Sequence, residues 1–121
     1  TAPFIRADDI KKAYNLLLKN NKINFVVSVT KFSYPILRSL KISKSGKISF
    51  WKKKYIFSRS QDLGEFYHDA GQFYWAKSEA ILKEKPTFSN TTLPFIIPSY
   101  RVIDIDEEED WKKALLMSKY L

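Results

Sequence analysis

The chain has 121 residues, of which 45% are hydrophobic, enough apolar material for the core of one ordinary domain. Its 21 Lys and Arg against 13 Asp and Glu give a formal net charge of +8, which favours an anionic partner. The absence of cysteine excludes disulfides, thiolate catalysis and cysteine-based zinc sites. No apolar run approaches the roughly 18 residues of a membrane span, so we expect a cytoplasmic protein without a membrane partner.

The first predicted element is a helix over residues 8–19, which Asp8 or Asp9 would begin and Asn20 would end. One face of this helix carries apolar residues at spacings of three and four, namely Ile10, Ala13, Tyr14, Leu17 and Leu18. A β-branched run follows at residues 23–29, and it is typical of a strand that is covered on both faces.

Residues 32–67 have a different character and predict a protruding β-hairpin arm. Apolar residues alternate with Lys and Ser around a turn at residues 44–47. The apolar side of the arm needs a cover, and we hypothesise that a second subunit supplies it. Six lysines between Lys41 and Lys54 could also bind nucleic acid. We favour lysine stems that cover apolar surface, and we expect no nucleic-acid partner.

The last third of the chain predicts a short helix over residues 78–84, a proline-marked connection, a strand over 101–106 and a helix over about 107–120. The buried face of the final helix would consist of Trp111, Ala114 and Leu115. The order of helix, strand, arm, helix, strand and helix indicates an α/β protein.

Asp104 and Asp106 are the first candidates for chemistry. Alternation along a strand would put both carboxylates on one face, about 6.5 to 7 Å apart at Cα, within reach of one hard cation. Such a cation neutralises phosphate charge in nucleotidyl transfer. A simpler interpretation makes Asp106 the N-cap of the last helix, with Glu109 completing a capping box, but it leaves Asp104 unexplained.

Residues 59–63 and 67–75 form the second candidate group, because they mix charged, amide and aromatic side chains densely. An arginine can hold a carboxylate through two hydrogen bonds, while amides and aromatic faces suit a polyhydroxylated ring. The alternative is a buried polar network that locks a turn. The single histidine, His68, invites a general-base role, but we interpret it as a structural residue beside Asp69.

Taken together, residues 1–6, 8–10, 59–63, 67–75 and 102–106 running into 110–111 resemble the acylneuraminate cytidylyltransferase family. The resemblance covers nearly the whole chain. Within the family, residues 67–75 are similar to the pseudaminic acid branch, because sialic acid enzymes carry Asn-Gly where this chain has Ala70-Gly71.

The resemblance implies transfer of CMP from CTP to a nine-carbon acidic sugar, pseudaminic or N-acylneuraminic acid, with Mg²⁺ as cofactor and pyrophosphate as product. It implies that Asp104 and Asp106 are the catalytic, metal-binding aspartates. It also implies five substrate-binding residues, namely Arg38, Arg59, Gln61, Tyr74 and Phe88. The implied fold is the C-terminal part of a Rossmann-like nucleotide-diphospho-sugar transferase, and the implied assembly is a homodimer through the arm at residues 32–67.

One departure from the family limits this expectation. The phosphate loop of the type Pro-Ala-Arg-x-Gly-Ser-Lys is absent, and the three glycines are isolated. We therefore expect residues 1–121 to lack the N-terminal CTP-binding half and to be inactive alone, although the full-length protein would be a CMP-nonulosonic acid synthetase. The alternative is a non-catalytic module of this family that binds a sugar acid or dimerises.

Overall fold

The computed structural model describes residues 2–121. Its helices and strands, in chain order, are α1 (Ala7–Lys19), β1 (Phe25–Lys31), β2 (Leu40–Ile42), β3 (Ile48–Phe50), β4 (Tyr67–Ala76), α2 (Ser78–Leu82), β5 (Thr92–Ile96) and α3 (Glu108–Met117). Within the described residues, no helix is long and apolar enough to cross a membrane.

Strand β1 is the centre of a mixed three-stranded sheet with the order β4-β1-β5. It runs parallel to β5, with Phe25 opposite Thr92 and Val29 opposite Ile96. Its first four residues are buried, as a strand covered on both faces requires. The predicted α/β class is therefore confirmed.

Helix α1 supplies one side of the core. Ala13 and Leu17 are buried and cluster with Ile23 and Val26, so the predicted apolar helix face is confirmed at these positions. Leu18, which was also assigned to that face, is mostly exposed. The helix begins after Arg6 rather than at an aspartate cap, and Asp8 and Asp9 lie in its first turn.

The chain divides into two compact units. The sheet unit comprises the described residues up to Thr30 together with Asp69–Leu121, and the hairpin unit is Lys31–His68. In the hairpin unit, β2 and β3 pair antiparallel, with Leu40 opposite Phe50 and Ile42 opposite Ile48. The turn between them closes through a hydrogen bond from Ser43 N to Lys47 O, so the predicted hairpin is confirmed.

The predicted strand over residues 101–106 is wrong. Arg101 ends a short 3₁₀ turn, Ser99–Arg101, and residues 102–106 are neither helix nor strand. A strand needs a hydrogen-bonded neighbour, and the alternating pattern gives side-chain direction without showing that neighbour.

The alternative interpretation of Asp106 as the N-cap of the last helix is wrong, and so are two of the three residues of that helix's predicted buried face. Helix α3 is capped by Glu107, whose side chain pairs reciprocally with the third helical residue, Asp110, so Asp106 is not the cap. Ala114 is buried as predicted, whereas Trp111 and Leu115 are about half exposed. Three acids fill the first turn, where the helix dipole favours negative charge.

Candidate functional site

A glycine bulge in β4 organises the candidate site in the sheet unit. Gly71 has a φ of +61°, a left-handed conformation that favours glycine. The next two amides, Gln72 N and Phe73 N, both lie within hydrogen-bond distance of one acceptor, Ser28 Oγ on β1, at 3.3 and 3.1 Å. Two residues of one strand thus face one residue of its neighbour, an arrangement like that of a β-bulge, and we call this part of β4 the Gly71 bulge.

Asp69 holds the start of this bulge. Its carboxylate accepts a hydrogen bond from Gly71 N at 2.8 Å and another from the hydroxyl of Tyr74. The bond to Asp69, helped by partial burial, raises the pKa of Tyr74 to about 12. The phenol of Tyr74 therefore stays neutral at physiological pH, and its ring is fixed beside the bulge.

Asp104 lies against the same bulge. A Cβ atom placed on Gly71 would lie 3.7 Å from Asp104 Oδ2. The structure thus brings the carboxylate segment at residues 102–106 next to the mixed segment at residues 67–75, which sequence reasoning treated separately. Asp104 and Asp106 are both exposed, so their carboxylates are accessible to a ligand.

The chemistry of these two carboxylates fits magnesium. They offer hard oxygen donors, and Mg²⁺ is commonly held by one or two carboxylates while it keeps waters and binds substrate phosphates. Residues 2–121 contain no cluster of three or more His, Cys, Asp or Glu arranged to enclose a metal. An all-protein cage is therefore not offered within these residues. Residues 102–106 do not form a strand, so the regular alternation that was expected to put both carboxylates on one face is absent.

A buried network that the sequence did not reveal anchors the start of this segment. Gln72 Nε2 donates to the carbonyl of Arg101 at 2.7 Å, and Arg101 Nη1 pairs with Asp9 Oδ2 at 2.6 Å. The side chains of Arg101 and Asp9 are only 7% and 12% exposed. The sequence signal for this network was Ser28, because a polar residue inside a buried apolar strand needs a hydrogen-bond partner.

The hairpin unit has its own candidate binding region. Arg38 lines a cleft of about 640 Å³ together with aromatic and hydroxyl side chains, among them Tyr34, Ser60 and His68. Arg38 Nε is buried and has no hydrogen-bond partner within the structure. A cleft of about 510 Å³ shares residues 32–36 and Ser60 and adds Gln61. Two predicted substrate-binding residues thus lie in overlapping clefts.

The remaining predicted residues take separate positions. Arg59 is exposed and lies just before the 3₁₀ turn Ser60–Asp62, whose first two residues line the 510 Å³ cleft. Phe88 is 65% exposed and lines a shallow pocket of about 220 Å³ with Val27 and Leu93 in the sheet unit. His68 is exposed, and its ring packs against Phe32 with centroids 4.7 Å apart.

A charged group lies at the edge of the 510 Å³ cleft. Lys31 Nζ forms an ion pair with Glu65, and the Tyr67 hydroxyl donates to the same carboxylate at 2.8 Å. The hydrogen bond from Lys31, followed by that from Tyr67, lowers the pKa of Glu65 below its ordinary value. The carboxylate is therefore ionised at neutral pH, and its negative charge offsets that of Lys31.

Comparison with known proteins gives a consistent result. No protein-family model matches the chain. It is 36% identical over 119 residues to the pseudaminic acid cytidylyltransferase of Campylobacter jejuni serotype O:2, which is 98% of this chain and 51% of that protein. A protein of the same name from serotype O:23/36 is 35% identical over 119 residues, with the same coverage.

A longer relative comes from Helicobacter pylori and is named pseudaminic acid cytidylyltransferase and UDP-2,4-diacetamido-2,4,6-trideoxy-beta-L-altropyranose hydrolase. It is 31% identical over 96 residues, or 79% of this chain and 18% of that protein. The chain spans about half the length of the two Campylobacter relatives. It is therefore a homologue of the pseudaminic acid cytidylyltransferases over that half, and the resemblance in its sequence is confirmed.

Proposed function

We propose that the chain forms part of a cytidylyltransferase that transfers CMP from CTP to a nine-carbon acidic sugar, with pseudaminic acid as the first candidate, and releases pyrophosphate. The observation that carries this proposal is the exposed Asp104 carboxylate beside Gly71, two residues before the exposed Asp106, in a chain homologous to enzymes of that name. The sheet unit would then be part of a Rossmann-like nucleotide-diphospho-sugar transferase fold.

Asp104 and Asp106 would hold magnesium in this reaction. When bound, the ion neutralises charge on the phosphate groups of the nucleotide. The exclusion of Asp106 from the helix cap supports this role, because Glu107 and Asp110 satisfy the end of α3 and leave Asp106 to other partners. Neutral Tyr74 would present a ring face and a hydroxyl without adding negative charge beside the nucleotide.

The sugar acid would bind through the cleft groups of the hairpin unit. Arg38 has a buried Nε without a partner, and a carboxylate is an acceptor that a guanidinium binds strongly, often through two hydrogen bonds. Ser60 and Gln61 line the overlapping 510 Å³ cleft and can bond to hydroxyl or amide groups of a sugar. Arg59, next to them in sequence, would add positive charge that attracts the anionic substrate.

A second copy of the chain would be the protein partner. Leu40, Ile42 and Ile48 on the paired strands of the hairpin are 51%, 76% and 65% exposed. Apolar side chains grouped on one sheet face gain stability when another surface covers them. We propose that the hairpin of a second subunit supplies that cover.

The 121-residue chain alone would not turn over. Its three glycines are isolated, so these residues offer no glycine-rich loop for a triphosphate. The Campylobacter relatives are about twice as long, which leaves room for such a loop in the complete protein. The complete protein is also proposed to work in the cytoplasm, where CTP is available.

The direct test is incubation of the complete protein with CTP, magnesium and pseudaminic acid, followed by phosphorus NMR. We expect a CMP ester and pyrophosphate in equal amounts. N-acylneuraminic acid is the comparison substrate, and a higher rate with it would shift the assignment to that sugar. Absence of both products with either sugar would contradict the proposed reaction.

A second candidate is a non-catalytic module that binds a sugar acid or only dimerises. It is favoured by one observation, that the Arg38 cleft lies wholly within the hairpin unit and needs no nucleotide to exist. Calorimetry of the complete protein with the sugar acid separates the two. The enzyme predicts that CTP changes the affinity for the sugar acid, whereas the module predicts equal affinity with and without CTP.

A further inference from the structure

We propose that Gln72 is a positioning residue that sets the location of the Asp104 and Asp106 carboxylates. The part of this inference that concerns metal rests on the proposed function, since it assumes that these carboxylates bind magnesium. The structural part stands on contacts that do not involve a metal. The essential contact is the hydrogen bond from Gln72 Nε2 to Arg101 O, 2.7 Å long and partly buried.

The structures at the two ends of residues 102–106 help to hold this segment. These residues are neither strand nor helix, so no regular ladder fixes them. The far end runs into the capping box of α3, in which Glu107 and Asp110 exchange hydrogen bonds. The near end is Arg101, where Gln72 binds.

Arg101 is held both at its side chain and at its backbone carbonyl. Its guanidinium is buried and paired with Asp9 in the first turn of α1, at 2.6 Å. That pair fixes the side chain, whereas the carbonyl begins the segment that leads to Asp104. The amide of Gln72 is the group that fixes this carbonyl, and it reaches across 29 positions of sequence.

Gln72 itself contacts the central strand of the sheet. Its backbone N–H lies 3.3 Å from Ser28 Oγ, and Ser28 is fully buried on the central strand. The left-handed turn at Gly71 re-aims the chain immediately before it. One bulge therefore places both the Gly71 backbone, against which Asp104 lies, and the amide that anchors Arg101.

Through these contacts Gln72 orients the segment that carries the carboxylates, without itself being a metal ligand. Groups that orient metal ligands without touching the metal typically change metal affinity by about 10- to 100-fold when they are removed. Gln72→Met keeps the length and approximate volume of the side chain but removes the donor. We expect this variant to loosen residues 102–106 and to weaken metal binding by about tenfold.

Asn24→Leu is the matched control. Asn24 Nδ2 donates to Thr91 Oγ1 at 3.0 Å, so this variant also loses one partly buried amide hydrogen bond in the sheet unit. Asn24 precedes the first residue of β1, at the opposite end of that strand from Thr30. Any effect of general destabilisation should appear equally in both variants.

The experiment has two readouts on the complete protein. The first is the NOE between Gly71 Hα and the Asp104 Hβ protons, together with ¹⁵N order parameters of residues 102–106. The second is titration with Mn²⁺, followed by paramagnetic broadening of the Asp104 and Asp106 amides. We expect Gln72→Met to lose the NOE, lower the order parameters and raise the Mn²⁺ dissociation constant, while Asn24→Leu leaves all three as in the wild type.

The possible results separate the two proposals. An unchanged NOE and unchanged order parameters in Gln72→Met would overturn the positioning role, whatever the metal does. A lost NOE with unchanged Mn²⁺ affinity would support the positioning role but overturn the metal part of the inference, because metal binding would then not depend on where Gln72 holds the carboxylates. Absence of Mn²⁺ binding by the wild type would count against the proposed metal site, and the NOE and order parameters would still decide the role of Gln72.

Discussion

The carboxylate of Asp104 lies in contact distance of Gly71: a methyl group added at Gly71 would be 3.7 Å from Asp104 Oδ2. This separation is an ordinary van der Waals contact, so space alone would admit alanine. The backbone would resist it, because Gly71 has a φ of +61°. The glycine is thus required by the turn that brings the two candidate segments together.

Gly71→Ala should lower the free energy of unfolding by about 1 to 2 kcal/mol, the cost of a left-handed conformation in a residue with a Cβ. Urea denaturation of the 121-residue chain measures this change. Gly64→Ala is the control, since a Cβ there meets nothing within 4 Å, and it should change stability by about 0.5 kcal/mol or less. Equal effects of the two variants would show that the bulge is not strained.

The buried pair of Asp9 and Arg101 should be costly to break. Arg101→Met leaves the Asp9 carboxylate buried without its partner, and such changes cost about 3 to 5 kcal/mol. Thermal or urea denaturation checks this. The double variant Asp9→Leu with Arg101→Met should recover part of the loss, because no unpaired charge remains.

An exposed ion pair provides the comparison for that experiment. Lys83 and Glu79 lie one helical turn apart, with side chains 61% and 73% exposed. Lys83→Met should cost less than about 1 kcal/mol, as is usual for surface pairs. If Lys83→Met and Arg101→Met were equally destabilising, burial would not be the source of the Arg101 effect.

Helix α1 and the hairpin could be predicted from the sequence because their signals are local. The spacing of Ala13 and Leu17 marks one helix face, and a Gly46 turn between alternating apolar residues marks a hairpin. Strand β5 was missed because its prolines indicated a connection. Pro94 lies within β5 opposite Val27, and the strand is at the edge of the sheet, where proline is tolerated.

The sequence named residues of the candidate site but did not indicate the framework that holds them. Asp104 was named because paired carboxylates are recognisable in sequence, whereas Tyr74 was named because the family resemblance implies it. Gln72 and Arg101 were not singled out, because they contact each other across 29 positions of sequence. Asp9 likewise contacts Arg101 across 92 positions. Strand β4 was missed because its run of polar residues around a bulge lacks the alternation of a regular strand.

The raised pKa of Tyr74 predicts a pH dependence. Its folded value is about 12 against an ordinary 10, so the stabilisation from the Asp69 hydrogen bond is fully present below pH 10. It is lost as the pH rises through about 12, where the folded phenol ionises. Wild-type stability should therefore fall more steeply than that of Tyr74→Phe between these limits.

Urea midpoints at pH 9 and at closely spaced values between pH 10 and 12 measure this difference. Tyr120→Phe serves as the control, since Tyr120 is 89% exposed, and it should follow the wild type. Parallel curves for wild type and Tyr74→Phe would mean that the Asp69 contact does not persist in solution.

The hairpin face predicts self-association of the complete protein. Ile42→Glu places a charge on the apolar face and should shift sedimentation toward the monomer at a given concentration. Ser49→Glu puts the same charge on β3, next to the residue that pairs with Ile42. The side chain there points to the other face of the hairpin, so this variant should leave association unchanged. A wild-type protein that sediments as a monomer at high concentration would exclude this interface.

Asp104 and Asp106 are the proposed magnesium ligands of CMP transfer, and the rate of CMP-sugar formation at limiting magnesium tests this proposal directly. In the complete protein, Asp104→Asn and Asp106→Asn should each lower that rate by roughly 100-fold, since metal neutralisation of phosphate charge contributes several kcal/mol. Asp8→Asn, which changes an exposed carboxylate in the first turn of α1, should retain the wild-type rate. Undiminished product formation by either site variant would contradict the account.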